Sequence, residues 1–307
     1  MDIQKIRLRF KSWLATPLES DTVLWYVFAY DFDNLEDVFQ DFVDWNPPFV
    51  ISNGFVDWYL PKPFYFNNNF QREAANLSQQ LALEQERKDK KSLSYFPAEK
   101  EIFKLLFEWN KDQMAEYDQK INQILENKNI NINTNTEAKN YVPRYHKADT
   151  QPYNLENIYY SSNDFSIYIK IFDDSKTQRF LESMKNVFES IGFGKYKSRG
   201  YWKISMFENS LIDENEKNLF DYLQELGEDK WIYYVLNNYK IHQQEIDSID
   251  TAQSYLNIWT KNTKTTQDFV FKWNMSMVLP WSVIYADTKL TWDYYQTNKS
   301  FNFWYIF

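Results

Sequence analysis

One segment of this 307-residue sequence decides its interpretation: Gly192-Phe193-Gly194-Lys195-Tyr196-Lys197-Ser198-Arg199-Gly200-Tyr201-Trp202-Lys203-Ile204. Three of the chain's five glycines lie between positions 192 and 200. A chain that otherwise avoids glycine needs such a cluster for positive φ angles, or for close approach of the backbone to another molecule. The segment also carries four basic residues and no acidic one. Backbone amides between cationic side chains are typical of a loop that binds phosphate.

A purely structural role for this segment is the competing interpretation. Gly192 would end a helix as its C-cap, and a turn would lead into the next strand. That role explains one glycine and not three. The segment is not a P-loop, because it lacks the GxxxxGK[ST] spacing and follows a helix instead of a strand. We therefore predict contact with RNA for the following residues: Gly192, Gly194, Lys195, Tyr196, Lys197, Ser198, Arg199 and Gly200.

The residues before the loop predict a strand and then a helix. Residues 165–172 alternate in polarity and are rich in β-branched side chains, which favours a strand. A helix follows from about 176 to 190. Four of its apolar residues share one face by helical spacing: Phe180, Met184, Val187 and Phe188.

The N-terminus predicts a strand with one basic face. Basic residues alternate with apolar ones from position 5 to position 11, the pattern of a strand with two different faces. Four like charges on one face repel one another unless an anion covers them. We predict RNA contact for these four residues, and a solvated edge face is the alternative. They are Lys5, Arg7, Arg9 and Lys11.

A helix is predicted to begin at Ser20-Asp21-Thr22, since these residue types favour helix N-caps. We predict RNA contact for Ser20, Asp21 and Thr22, since the exposed N–H groups of such a helix end bind phosphate, and capping by the side chains themselves is the alternative. A second helix is predicted over 34–43. An extended passage follows from Asn46 to Leu60-Pro61-Lys62-Pro63, because each proline removes a hydrogen-bond donor and disfavours helix before it.

Residues 66–155 have the character of an insertion. Helical stretches near 70–90 and 97–127 flank a charge run, Glu84–Lys91. The polar, asparagine-rich stretch 127–135 predicts a mobile loop.

Composition narrows the classes of function. The net charge of −9 argues against a general polyanion binder, so any RNA contact must be confined to local basic strips. Aromatic residues make up 20% of the chain, enough to fill a core and to supply rings for interfaces or bases. The absence of cysteine excludes disulfides and thiolate chemistry.

We expect a soluble cytoplasmic protein without signal peptide, membrane span or cofactor. We also expect no metal, since Asp31 with Asp33, and Asp173 with Asp174, are more typical of solvated loops.

The predicted order of strand, helix, extended segment, insertion, strand, helix, loop and strand is that of a ferredoxin-like βαββαβ unit. The sequence resembles the RAMP proteins of CRISPR systems and, more narrowly, the fourth Csm subunit of type III-A complexes. Three motifs carry the resemblance: Ser20-Asp21-Thr22-Val23-Leu24, then Pro47 to Phe55 with Leu60-Pro61-Lys62-Pro63, and then Gly192 to Gly200. The family places glycines where this chain has Lys195 and Trp281, so the backbone path at these two positions is in question.

The resemblance implies an α+β fold with two ferredoxin-like (RRM-like) RAMP domains. They would span 1–207, with a helical and hairpin insertion called the thumb at about 64–155, and 208–307. The resemblance implies a subunit without chemistry of its own, which grips the 5′ handle of the crRNA and contacts nearby target RNA. It would join the large polymerase-like signature subunit to the filament of backbone RAMP subunits. Thumb contacts would come from Arg144, Tyr145, His146 and Lys147.

Two other functions remain open at this stage. A metal-independent RAMP endoribonuclease would use a histidine as acid or base, and only His146 and His242 are available. A scaffold that contacts only protein would fit the acidic charge and the apolar C-terminus, Phe301–Phe307, which must be a buried strand or a partner contact.

Overall fold

The structure is a computed structural model. It describes residues 2–10, 18–44, 46–63, 95–107, 132–141, 151–160, 164–193, 204–229, 231–239, 245–261, 275–287, 293–297 and 300–304, with single positions between these ranges. The helices described are α1 (Ser20–Tyr30), α2 (Phe32–Val43), α3 (Lys100–Phe107), α4 (Asp174–Ser190) and α5 (Glu214–Asp229), with a 3-10 helix at Ile246–Ser248. The strands are β1 (Ile3–Phe10), β2 (Phe49–Ile51), β3 (Phe55–Val56), β4 (Tyr59–Pro61), β5 (Tyr95–Pro97), β6 (Ile132–Tyr141), β7 (Gln151–Tyr160), β8 (Asp164–Ile171), β9 (Ile204–Leu211), β10 (Ile232–Tyr234), β11 (Ile258–Lys261), β12 (Met275–Val278), β13 (Val283–Tyr285), β14 (Asp293–Thr297) and β15 (Ser300–Trp304).

The main sheet has the strand order β2-β8-β1-β9, and β3 also pairs with β8. Each of these pairs is antiparallel. Helices α1 and α2 connect β1 to β2, and α4 lies between β8 and β9 in the chain. The architecture is therefore α+β, as predicted. Strand β1 lies inside the sheet between β8 and β9, which excludes the edge position that the sequence left open.

One face of this sheet packs against α1, α2 and α4 in a single apolar cluster. Phe28 on α1 contacts Phe42 on α2 and Phe180 on α4, with ring centroids 5.8 and 5.6 Å apart. Edge-to-face and tilted ring pairs of this kind add to the free energy gained by burial. The strand residues predicted to be apolar and inward are buried there: Ile6, Leu8 and Phe10. The helix residues predicted to share a buried face are buried as well: Phe180, Met184, Val187 and Phe188.

The opposite face of the sheet packs against α3, α5, β5 and β10 in a second cluster. Tyr168 on β8 pairs with Lys5 on β1, and its ring lies 4.9 Å from that of Phe220 on α5. Helix α3 buries Phe103 and Leu106 in the same cluster. This helix lies within the predicted insertion, 64–155, so that part of the insertion belongs to the core.

A long β-hairpin ends the predicted insertion. Strands β6 and β7 pair from Ile132 with Tyr160 to Tyr141 with Gln151. The prediction of a mobile loop over 127–135 is wrong from Ile132 onward, because Ile132 to Asn135 pair with Tyr160 to Asn157 in β7, and local composition does not reveal that pairing. Helical residues at 78, 81, 84, 85, 119 and 123 fall inside the two stretches predicted to be helical.

The extended passage predicted from Asn46 to Pro63 forms β2, β3 and β4. Its one glycine is required by close approach. The N–H of Gly54 donates to the carbonyl oxygen of Leu18 at 2.7 Å, and a Cβ at position 54 would lie 2.2 Å from Leu18 Cδ2. Tyr234 donates its hydroxyl hydrogen to the carbonyl oxygen of Pro61. The passage is thus fixed between the two apolar clusters.

The described residues after 211 form α5 and three two-stranded sheets, β10-β13, β11-β12 and β14-β15. Isolated bridges pair residues outside the strands with β12 and β13, as at Tyr239 with Val278 and Tyr255 with Val283. Trp281 has φ 84°, the left-handed conformation that favours glycine, at the position where the resemblance led us to expect a glycine. Strand β15 includes residues 301–304 of the apolar C-terminus and lies beside α1. A strand is therefore present where the sequence led us to expect one.

Candidate nucleic-acid interface

The glycine-rich segment begins at the end of α4. Gly192 has φ 74°, so it takes the helix-terminating role that the competing interpretation gave it. Its carbonyl oxygen accepts a hydrogen bond of 2.8 Å from the hydroxyl of Tyr26 on α1. Phe193 is buried, with its ring centroid 5.1 Å from that of Tyr26 and 4.8 Å from that of Phe188. The start of the segment is therefore fixed on α1.

The other end of the segment is fixed on the main sheet. Ile204 opens β9 and pairs with Phe10, the last residue of β1. The intervening residues predicted to contact RNA, from Gly194 through Lys195, Tyr196, Lys197, Ser198 and Arg199 to Gly200, lie outside the described residues. The structure thus places the two ends of the loop, one on α1 and one at the C-terminal end of β1.

Lys5 is not part of an exposed basic face. Its side chain is 2% exposed, and its Nζ lies 2.7 Å from both Asp57 Oδ1 and Glu216 Oε1. The same Nζ lies 4.1 Å from the ring centroid of Trp58. The prediction that Lys5 contacts RNA is corrected, since the anions over this strand face are the protein's own carboxylates.

The other basic residues of β1 become progressively more exposed. Arg7 is 28% exposed and pairs with Asp57 at 2.8 Å and with Glu208 at 3.7 Å. Arg9 is 49% exposed and donates to both carboxylate oxygens of Asp164. The side chains of Arg7 and Arg9 are accessible to a ligand, but each is already paired with a carboxylate. Lys11, the fourth predicted contact, lies outside the described residues.

Glu216 joins α5 to the main sheet. Its backbone N–H donates to Asp213 Oδ1 at 2.8 Å, and its Oε2 accepts from the N–H of Asp213 at 3.2 Å, which is a reciprocal capping box. Its Oε1 accepts from Lys5 and from the hydroxyl of Tyr168 at 2.8 Å. Burial, followed by the charge of Glu216, raises the pKa of Tyr168 well above its ordinary value. The Asp-x-x-Glu spacing was the sequence signal for this helix start, whereas nothing local indicated the partners on the sheet.

Asp57 is the second carboxylate of this buried group. Its Oδ1 accepts a hydrogen bond of 2.5 Å from Ser166, and its Oδ2 accepts from Arg7. Burial alone would raise the pKa of Asp57, but the hydrogen bonds from Lys5 and Ser166 and the charges of Lys5 and Arg7 outweigh it and hold that pKa below its ordinary value. Asp57 is therefore a carboxylate in the folded protein at neutral pH.

The N-terminus of α1 is covered by protein. The helix begins at Ser20 as predicted, but Glu19 is the N-cap and makes no side-chain capping bond. Asn53 Oδ1 instead accepts from the N–H of Ser20 at 2.9 Å. Ser20 and Asp21 are buried, and Asn238 Nδ2 donates to Asp21 Oδ1 at 3.4 Å. Of the three predicted contacts here, Thr22 alone is exposed, and the prediction of phosphate binding is corrected at Ser20 and Asp21 because buried groups already occupy them.

The predicted thumb contacts lie between β6 and β7, outside the described residues: Arg144, Tyr145, His146 and Lys147. His242, which follows β10, is also outside the described residues. Asp173 is the N-cap of α4 and accepts from the N–H of Lys176 at 3.1 Å. Within the ranges that the structure describes, no group of three or more metal-ligating side chains occurs. No helix in those ranges is long and apolar enough to cross a membrane.

Comparison with known proteins identifies the fold. No family model and no curated protein sequence matches the chain. A solved structure of a Csm3-Csm4 subcomplex of the type III-A CRISPR-Cas interference complex matches at 14% identity, with a TM-score of 0.57 over 97% of this chain and 98% of that chain. Structures of a Csm1-Csm4 cassette bound to cA4 and to AMPPNP each match at 12% identity and TM-score 0.53, over 100% of this chain and 96% of that chain.

Csm4 is the component common to these complexes, and it is the family that the three sequence motifs resemble. The match extends over both ends of the chain and over the C-terminal region, where the motifs are weakest. The resemblance is therefore confirmed at the level of the fold, which this chain shares with the matched chains of the Csm3-Csm4 and Csm1-Csm4 structures.

Proposed function

We propose that this chain is a non-catalytic, RNA-binding subunit of a type III-A CRISPR-Cas effector complex. One observation carries the proposal: the fold matches subunits of Csm3-Csm4 and Csm1-Csm4 complexes over essentially the whole length of both chains. The subunit would grip the 5′ handle of the crRNA. It would also join the large polymerase-like subunit to the backbone filament.

The glycine-rich loop is the proposed grip. Its two ends are held by Tyr26 and Phe10, so the cationic residues between them are presented from a fixed base. The loop carries positive charge without acidic residues, in a chain whose net charge is −9: Lys195, Lys197 and Arg199. The ion pairing of β1 concentrates the RNA-binding charge in this loop, since Lys5 is buried and Arg7 and Arg9 are paired.

We propose an arrangement of two domains, and the strand order of the main sheet supports the first of them. The main sheet and its helices would form a ferredoxin-like domain over 1–207, with the β6-β7 hairpin as the thumb of the insertion at 64–155. The residues from 208 to 307 would form a second, degenerate ferredoxin-like domain. Arg144, His146 and Lys147, between the hairpin strands, would contact the guide-target duplex.

Co-purification tests the proposal. The chain is expressed with the other subunits of its operon, and the RNA retained by the purified complex is quantified. Reversing Lys195, Lys197 and Arg199 to Glu should abolish guide retention. The matched control reverses three exposed lysines on helices, Lys104, Lys185 and Lys217, which gives the same change in net charge. Equal guide retention in both triple variants would contradict the proposed grip.

A second assay distinguishes the proposed non-catalytic subunit from a RAMP endoribonuclease. The purified chain is incubated with repeat RNA in EDTA. We expect no cleavage. Cleavage that disappears in His146→Ala would overturn the non-catalytic assignment.

A further inference from the structure

Trp58 is an exposed aromatic residue in an unfavourable backbone conformation. It lies in the turn between β3 and β4, its φ is 69°, and it is 48% exposed. Glycine or asparagine adopts this conformation with less strain, so a tryptophan here requires a compensating contact. The chain itself supplies only part of that contact, because half of the residue faces solvent.

The indole is held from one side. Lys5 Nζ lies 4.1 Å from its ring centroid, within the range of a cation–π interaction. Lys5 is itself fixed by Asp57 and Glu216, each at 2.7 Å. The carbonyl oxygen of Trp58 accepts a hydrogen bond of 3.0 Å from the N–H of Ala98. The ring is thus a pre-organised platform with one face covered by a buried ammonium group and half of the residue open to solvent.

The open end of the β1 face lies beside this platform. Exposure rises from 2% at Lys5 to 28% at Arg7 and 49% at Arg9, so α5 covers one end of the face and leaves the other open. Asp164 accepts two hydrogen bonds from Arg9, and a guanidinium carries five N–H donors, so donors remain on the solvent side.

The platform lies at the level where the glycine-rich loop joins the sheet. The N–H of Asp57 bonds to Asp164, which pairs with Arg9, and Arg9 pairs with Met206 close to the end of the loop. From β9 to β3 is three strand spacings, roughly 14 Å. A few nucleotides of extended RNA cover that distance.

We propose that Trp58 stacks on an unpaired base of the RNA that leaves the glycine-rich loop, with Arg9 contacting the backbone between them. This inference rests on the proposed function. A cationic segment of a partner protein is the other class of occupant for an exposed tryptophan. The half-exposed guanidinium of Arg9 keeps N–H donors beyond those that bond to Asp164, and these donors suit a phosphate of RNA but not a cationic segment.

The test uses the full chain and a fluorescein-labelled single-stranded RNA with the sequence of the co-purified guide's 5′ end. Trp58→Ala should weaken binding by about 5-fold to 150-fold, the range for loss of one stacked base. Trp58→Phe should retain most of the affinity, because a smaller ring still stacks. The control is Trp259→Ala, a change at a similarly exposed tryptophan on β11, and it should leave affinity unchanged.

Two further readouts distinguish stacking from a structural role. Trp58→Gly should bind RNA as weakly as Trp58→Ala yet melt at a higher temperature, since glycine relieves the strain at φ 69°. With 5-iodouridine in the RNA, photo-crosslinking should give a peptide adduct at Trp58 in the wild type.

The outcomes separate this inference from the proposed function. If Trp58→Ala binds RNA like the wild type while the loop reversal abolishes binding, stacking at Trp58 is refuted and the RNA-binding function stands. If Trp58→Ala keeps its RNA affinity but loses a protein subunit from the purified complex, the occupant is protein and the inference is refuted. If the wild type binds no RNA, both proposals fail together.

Discussion

Replacing Lys5 with methionine should destabilise the fold strongly, because it removes a buried cation that Glu216 contacts. Lys5 Nζ lies 2.7 Å from carboxylates of Asp57 and Glu216, and these side chains are 3% and 1% exposed. Asp57 would keep its pairing with Arg7, whereas Glu216 would keep, among the described residues, the neutral donors Tyr168 and the N–H of Asp213. Methionine preserves most of the side-chain volume, so the loss is chiefly electrostatic. Breaking a buried pair from one side costs about 3–5 kcal/mol, a large part of the ~5–15 kcal/mol that stabilises a domain.

Urea denaturation followed by tryptophan fluorescence measures this free energy. Adding Glu216→Gln to Lys5→Met should recover about half of the loss, since glutamine keeps the capping oxygen and removes the unpaired charge. The control is Arg179→Met, which breaks an ion pair of 2.9 Å whose side chains are 46% and 51% exposed. That change should cost less than about 1 kcal/mol. The reasoning is refuted if Lys5→Met costs no more than Arg179→Met, or if the double variant is no more stable than Lys5→Met.

Three further changes test other parts of the structure. Gly54→Ala should lower the free energy of unfolding by about 1–3 kcal/mol, because the new Cβ overlaps the buried Leu18. Gly227→Ala within α5 should raise it by about 0.5–1 kcal/mol, because the new Cβ lies 3.5 Å from its nearest neighbour. Thermal melts of both variants measure the difference. Asp57 has a lowered pKa in the folded protein, so its contribution to stability is present above about pH 4 and is lost as pH falls through that lowered pKa. The stability of Asp57→Asn should therefore fall less steeply with acid in a stability–pH curve. Tyr234→Phe should cost about 1 kcal/mol by leaving the carbonyl oxygen of Pro61 without its hydroxyl donor, and a urea midpoint shift measures it.

Local periodicity predicted the main elements of the first sheet. The alternation in β1 and the helical spacing of Phe180, Met184 and Val187 depend on which face is buried, and the structure agrees with both. Residues of β8 form a strand as predicted, but apolar clusters on both faces of the sheet bury its central residues without alternation. The resemblance in three short motifs also predicted an α+β fold like that of Csm4, and the structural comparison finds such structures at 14% identity or less.

The partners of the charged residues were not predictable from local pattern. Lys5 and Glu216 are 211 residues apart, so nothing near Lys5 indicates the carboxylate that buries it. For the same reason the N-cap residues Ser20 and Asp21 suggested an open helix end, while the structure covers it with Asn53 and Asn238. Long-range pairing converts a basic strand face into a neutralised one.

Trp281 is the opposite case, because its residue type differs from the expected glycine while its backbone conformation is one that favours glycine. The family's glycine is absent at this position, yet the backbone keeps φ 84°. The hydrogen bond of 3.0 Å from its N–H to the carbonyl oxygen of Val235 holds the chain in place, so the surrounding structure determines the conformation despite the unfavourable residue.

The salt dependence of RNA affinity tests the central claim most directly. The dissociation constant for single-stranded guide RNA is measured across a salt series for the wild type, for a loop variant with Lys195, Lys197 and Arg199 changed to Gln, and for a control with three exposed helix lysines changed to Gln. Three lost phosphate contacts should reduce the slope of log affinity against log salt by about 2. The control should keep the wild-type slope. If all three proteins give the same slope and affinity, the glycine-rich loop does not bind RNA and the account is contradicted.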